Sequence, residues 1–152
     1  MRFYLIVLIV LHVFFSCSDK NIKEIDVSYI DVHFTVQRYE VDFYNANKEN
    51  FPEVKQKYPY LFPVEFTDSL SYEKINDKQE QELFTETQKK YKDFSSEETQ
   101  LLSLFKHIKY YNTSFQEPDI VTMLTNIDYD NRVIYADSLL LISLDVYLGK
   151  GH

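Results

Sequence analysis

The chain has 152 residues and a formal net charge of −8, and hydrophobic residues make up 45% of it, with 12 Phe and 13 Tyr. This composition is typical of one globular domain with a substantial core, and the acidic balance argues against a nucleic-acid binder. The single cysteine excludes a disulfide framework. The two glycines both lie in the last four residues, which excludes the glycine-rich phosphate-binding loops of nucleotide-binding proteins.

The N-terminal segment is typical of a secretory signal. Arg2 supplies a positive start, and residues 3–15 form an apolar run interrupted only by His12. A helix of this length is too short to cross a hydrocarbon core of ~30 Å. A signal sequence is therefore favoured over a transmembrane anchor.

The small residue Ser16, directly before the lone cysteine Cys17, resembles a bacterial lipobox. In such lipoproteins the thiol receives a diacylglycerol and the signal is cut just before the cysteine, and two or more acyl chains anchor a protein stably. We therefore predict a signal peptide over residues 1–16, cleavage between Ser16 and Cys17, lipidation of Cys17 and a polar tether over 17–24. Two alternatives remain open: a cut that releases a protein without a lipid, or a short uncleaved anchor.

The body of the chain, residues 25–152, is predicted to begin with a strand and continue with helices. Alternation of apolar and polar residues around Val32, Phe34 and Val36 predicts a strand within residues 27–39. Helical patterns follow at residues 42–47, 51–58, 68–76, 77–91 and from 95 to about 112. Ser95 and Glu98 have the spacing of a capping box for the last of these helices, whose predicted buried stripe consists of Leu101, Leu104, Phe105 and Ile108.

Three closely spaced strands are predicted after Pro118, at residues 120–125, 132–136 and 139–146, with a turn at 128–131. Such spacing favours a short antiparallel β-meander. The last strand is apolar on both faces, so it should be central and covered on both sides. Because little sequence follows it, we expect an incomplete domain, the N-terminal part of a longer α+β protein.

Few side chains form a pattern that indicates catalysis or metal binding. His33 on a strand and His107 on a helix are better explained as exposed and structural residues, and no HExxH pattern is present. Residues 128–131 lack the glycine and glutamate of a calcium loop, and Glu80, Glu82 and Glu86 are expected on a solvated helix face. Asp145, at the end of the last strand, is predicted to cap the next turn or to contribute to a site completed by further residues.

Several segments resemble the GldB-type gliding motility lipoproteins of Bacteroidota. They are the lipobox, residues 32–43 (VHFTVQRYEVDF), residues 105–111 (FKHIKYY) and residues 140–150 (LLISLDVYLGK). The resemblance implies a longer cell-envelope lipoprotein, anchored to a membrane through Cys17, that works with other gliding or type IX secretion proteins. It transfers no catalytic or metal residue and no cofactor to this chain.

Three functions are consistent with these features. The first is a non-enzymatic component of the gliding machinery that acts through protein contacts. The second is a zinc-peptidase-like envelope hydrolase whose catalytic half lies outside this chain, an expectation that comes from a distant similarity of the family to putative peptidases. The third is a generic lipoprotein binding module.

Overall fold

A four-stranded mixed sheet organises residues 25–149, the part of the chain that the computed structural model describes. Its strands are β1 (Val36–Arg38), β2 (Asp119–Met123), β3 (Val133–Ala136) and β4 (Leu139–Ser143), in the order β1-β2-β4-β3. β1, β2 and β4 run parallel, whereas β3 and β4 form an antiparallel hairpin. The predicted α+β class is confirmed.

The predicted meander is wrong in its pairing, and its last strand ends at Ser143 rather than at residue 146. β4, rather than β3, lies beside β2, and it runs parallel to it. Every residue of β4 is at least half-buried, whereas all four residues of β3 are exposed. The more apolar strand therefore takes the central position, as predicted, and leaves the exposed strand at the edge.

The N-terminal strand is much shorter than the predicted residues 27–39, because β2 offers no backbone partner before Asp119. Thr35 still donates its backbone N–H to Asp119 Oδ1 over 2.8 Å. The alternating residues before it are apolar because they pack: Val32 is buried, and the Phe34 ring meets the Phe105 ring edge-on at 5.2 Å. The alternation of apolar and polar residues before β1 therefore reflects side-chain burial and not strand pairing.

Five helices are found within residues 25–149. They are α1 (Tyr39–Tyr44), α2 (Phe51–Lys57), α3 (Asp68–Asn76), α4 (Lys78–Lys90) and α5 (Ser95–Tyr111), with 3-10 turns at Pro59–Leu61 and Leu144–Tyr147. The bounds of α2 to α5 agree with the predictions to within one residue, and Asp77 caps α4 by accepting from the N–H groups of Gln79 and Glu80. α1 begins three residues earlier than predicted, directly after β1.

The start of α5 contradicts the predicted capping box. The residue before the helix is Phe94, which has a left-handed φ of 56°, and Ser95 is already helical. Asp93 Oδ1 instead accepts from the backbone N–H of Ser95 at 3.1 Å and from its hydroxyl at 2.9 Å. One member of the predicted buried stripe is also wrong, because Leu104 is 51% exposed.

The sheet has a hydrophobic cluster on each face, because neighbouring residues of a strand point to opposite sides. Ile120 packs with Phe105 of α5, and Val121 packs with the aromatic residues of α1 and α2. Leu140 belongs to the first cluster, and Leu139 and Leu141 to the second. Both faces of β4 thus pack against clusters formed largely by residues that precede it in the chain.

Candidate functional site

Polar residues gather at the carboxyl ends of the three parallel strands. In an open sheet these ends share one edge, which is where ligands of α/β proteins commonly bind. Glu40 follows β1, the segment 125–127 follows β2, and Asp145 follows β4. Glu40 and Asp145 are buried, which makes this edge of the sheet the candidate functional site.

Asp145 holds the loop that follows β2. Its carboxylate accepts from the backbone N–H of Thr125, 3.2 Å from each oxygen, and from that of Ile127 at 2.6 Å. Asn126 and Ile127 have left-handed φ values of 57° and 60°, a conformation that is costly for a β-branched side chain. Asp145 therefore caps the loop after β2, and the prediction that it caps the next turn is wrong.

Glu80, in the first turn of α4, joins three elements through its carboxylate. Oε1 accepts from Lys74 Nζ at 2.9 Å and from Asn126 Nδ2 at 2.7 Å, and Oε2 accepts from the Tyr44 hydroxyl. Burial acts to raise the pKa of Glu80, but these three hydrogen bonds outweigh it and lower the pKa below its usual value. The prediction that Glu80 lies on a solvated helix face is wrong.

Glu40 forms a third anchor, between β1 and β2. Oε1 accepts from Arg38 Nε and Oε2 from Thr122 Oγ1, each at 2.6 Å. Arg38 also donates from Nη2 to the Tyr91 carbonyl at 2.9 Å, and its guanidinium lies 5.4 Å from the centre of the Phe94 ring. This pair therefore ties the sheet to the segment between α4 and α5.

All three carboxylates are engaged in contacts that hold strands and loops together. Each carboxylate accepts from two or three donors, whereas its two oxygens have about four lone pairs. Within residues 25–149, two buried side-chain atoms lack a hydrogen-bond partner, Thr125 Oγ1 and Gln88 Nε2. The hydrogen bonds at this edge consequently fix the loops that follow the strands.

The residues predicted from sequence do not converge on this edge. Ser16 and Cys17, the predicted cleavage and lipidation residues, lie outside the described residues. His33 is exposed beside Asp31, and His107 Nδ1 lies 2.8 Å from the Ser103 carbonyl oxygen. The turn at 128–131 is confirmed, with Asp128 Oδ1 accepting from the N–H groups of Asp130 and Asn131. No group of three or more potential ligands is placed to hold a metal between residues 25 and 149.

Sequence reasoning missed Glu40 and Glu80 as anchors. Glu80 carried a signal, because it lies three residues after the helix cap Asp77, which places it at the start of α4. The sequence around Glu40 gave no signal of its role as an anchor, because its partner Thr122 is 82 residues away.

A second feature is the open edge of the sheet along β3. Val133, Ile134 and Tyr135 are exposed apolar residues on the edge strand. Beside them, a groove of about 570 Å³ lies between α5 and the sheet, with Leu101, Leu104, Val133, Ile142, Leu144 and Tyr147 among its lining residues. Large exposed apolar surfaces of this kind mark sites of protein contact.

The family model for the gliding motility protein GldB matches residues 20–152. The chain belongs to this family. The match includes every described residue, and it begins three residues after Cys17.

Membership makes the chain a gliding motility lipoprotein by family and confirms the resemblance on which the sequence prediction rested. No curated protein and no solved structure matches the chain. Among the helices of residues 25–149, none has the length and apolarity needed to cross a bilayer. The anchored loops and the open β3 edge are two features of this GldB family member from which a function can be argued.

Proposed function

We propose that this chain is a lipid-anchored, non-enzymatic component of the gliding machinery that binds a partner protein by strand addition to β3. Family membership supports the gliding role, and the lipobox at Ser16 and Cys17 supports the anchor. The observation that carries the mode of action is the open, apolar edge of the sheet.

The register of the hairpin identifies the backbone groups that are free to pair. Residues of an antiparallel pair alternate between those that bond to each other and those that bond outward. Ser143 donates to the Arg132 carbonyl at 2.9 Å, and the register pairs Ile134 with Leu141. Ile134 therefore bonds to β4, whereas Val133 and Tyr135 direct their N–H and C=O groups to the open edge.

The partner segment is an extended apolar strand flanked by lysine or arginine. Edge pairing requires an extended backbone, and exposed apolar side chains favour apolar neighbours. The ends of β3 lie close in sequence to Asp128, Asp130 and Asp137, against the single cation Arg132. The acidic charge of the whole chain favours a basic partner in the same way.

The test of strand addition compares two substitutions at one position. Tyr135→Pro removes the outward N–H while leaving the β3–β4 bonds intact, a place where an edge strand tolerates proline. Tyr135→Thr removes the same ring and keeps the donor. In a gliding host that carries each variant in place of the native gene, we expect loss of colony spreading for the proline variant and near-normal spreading for the threonine variant, at equal protein levels. Equal spreading of both variants would contradict the proposal.

The anchor is tested independently by labelling with radioactive palmitate. The native chain should incorporate label, and Cys17→Ala should not. Equal labelling of the two, or none in either, would remove the lipid anchor from the proposal but leave the strand-addition test intact. A clean deletion that leaves spreading normal would overturn the gliding role itself.

A further inference from the structure

A cleft on the side of the sheet that carries the N-terminal segment has no role in the proposed function. It has a volume of about 550 Å³, within the range of small-ligand pockets. It lies between the segment before β1, the end of α5 and the loop that joins α5 to β2. The lining residues that matter here are Tyr29, Asp31, His33, Lys109, Tyr110 and Glu117.

The cleft contains an ion pair, Lys109 with Glu117, and a histidine–carboxylate pair, His33 with Asp31. Glu117 is largely buried, with 9% of its side chain exposed, and Lys109 Nζ donates to its Oε1. Burial acts to raise the pKa of Glu117, but the hydrogen bond from Lys109 and the nearby His33 ring help to lower it. The second pair, His33 and Asp31, is 3.0 Å apart and highly exposed, at 86% and 82%.

Two tyrosines add aromatic surface to these charges. Tyr29 is 71% exposed and Tyr110 is 40% exposed. Aromatic faces attract ammonium groups, and an exposed contact such as that between Asp31 and His33 exchanges partners at little cost. A purely anionic ligand would be repelled by Asp31 and Glu117, and a purely cationic ligand would be repelled by Lys109.

We infer that this cleft binds a zwitterion made of a primary ammonium and a phosphodiester, as in a phosphoethanolamine lipid head group. The ammonium lies against Asp31 and the tyrosine rings, and the phosphate lies against Lys109 and His33. Tyr29 is 12 residues from Cys17, a distance that an extended chain spans with at most about 40 Å. The lipid as the source rests on the proposed acylation of Cys17, whereas the ligand chemistry does not.

The ligand chemistry is tested by calorimetry on the full chain in detergent micelles. Three probes are compared. Glycerophosphoethanolamine carries both charges, glycerophosphoglycerol carries only the negative charge, and ethanolamine carries only the positive charge. We expect binding of the first at least about tenfold tighter than of the other two. Similar affinity for all three probes would overturn the inference.

Matched variants show whether binding occurs in this cleft. Asp31→Asn, Lys109→Met and Tyr29→Ala should each weaken binding about tenfold or more. Their controls are Glu82→Gln and Lys78→Met, from an exposed pair on α4, and Tyr129→Ala, which removes a comparably exposed ring. Tyr29→Ala keeps the inference testable if a variant of the buried pair fails to fold. Equal effects in the test and control variants would contradict the assignment.

The source of the zwitterion is tested in vesicles. The acylated chain is reconstituted with phosphatidylglycerol alone or with added phosphatidylethanolamine, and glycerophosphoethanolamine is titrated against each. Head groups of the bilayer should compete, so binding of the probe should weaken when phosphatidylethanolamine is present. Unchanged binding would overturn the lipid source and assign the cleft to a free zwitterion. None of these outcomes depends on gliding, so failure here and failure of the gliding role are distinguishable.

Discussion

At the scale of single residues, Ile127 has a conformation that side chains of its type rarely adopt. Its φ of 60° follows that of Asn126 at 57°. The two N–H groups that Asp145 binds belong to Thr125 and Ile127, on either side of Asn126. Asn126 is itself fixed from outside the loop by Glu80. Two carboxylates from different parts of the chain thus stabilise a loop that its own sequence does not favour.

Asp145→Asn should destabilise the fold, because an amide has one acceptor oxygen where the carboxylate has two. We expect the free energy of unfolding to fall by about 2 kcal/mol, typical for a buried donor left without its partner. Chemical denaturation measures this change, with the exposed Asp130→Asn as its control. In an Ile127→Gly background the loss should shrink, since glycine adopts the left-handed conformation without support. Equal losses in both backgrounds would show that Asp145 does not act through the loop.

Glu80 predicts a pH dependence of stability. Because its pKa is lowered in the folded state, its contribution is present above the unfolded pKa of about 4.5 and is lost as the pH falls through the folded value. Glu80→Gln should therefore lower stability at neutral pH and lose less stability between about pH 4.5 and pH 2 than the native chain. Denaturation across this range measures it, and Glu82→Gln, on the same helix but exposed, should keep the native profile. Parallel profiles for native and Glu80→Gln proteins would contradict the assignment.

These residues also show how much of the candidate site could be predicted from the sequence. Asp145 was identified as a cap because a carboxylate ends an apolar strand. Its target was missed, because the loop residues that it binds lie 18 to 20 positions away and carry no glycine signal. Glu80 was assigned to a solvated face because clustered glutamates usually lie on one, and periodicity does not reveal a contact with Asn126. Predictions based on local pattern succeed where the partner is local.

At the scale of elements, helices were predicted more accurately than strand pairing. Helix bounds follow from local apolar periodicity and from caps such as Asp77. The place of β4 beside β2 depends on which strand can be buried, a property of the whole sheet. For α5 the predicted start was correct, but the predicted capping residues were wrong. Phe94 packs in the core, and Asp93 caps the helix instead.

The start of α5 yields a prediction that separates the two capping arrangements. Asp93→Ala should lower the protection of the first-turn amides of α5 in hydrogen exchange, because Ser95 loses its acceptor. Glu98→Ala should leave that protection unchanged, whereas a capping box would make it as harmful as Asp93→Ala. Exchange measured by NMR at residues 95–98 decides between them.

At the scale of the whole molecule, the two edges of the sheet have different surroundings. β1 continues the N-terminal segment that carries the cleft, and β3 lies at the other end of the strand order. Three strand spacings of about 4.8 Å separate them. If the tether leads to a lipid, the cleft side lies toward the membrane and the free edge lies away from it. One small sheet can thereby join an anchor to a partner.

The free edge predicts an exchange pattern that strand addition then changes. In the native chain the amides of Val133 and Tyr135 should exchange rapidly and that of Ile134 slowly, because Ile134 alone of the three bonds to β4. A synthetic apolar strand peptide with lysine at both ends should protect Val133 and Tyr135, and salt should weaken this effect by screening. The same peptide with aspartate ends serves as the control, because the acidic surroundings of β3 repel it. Rapid exchange of the Ile134 amide would contradict the assigned register. Equal protection by both peptides would contradict the charge preference. The Tyr135→Pro variant should show no protection by either peptide.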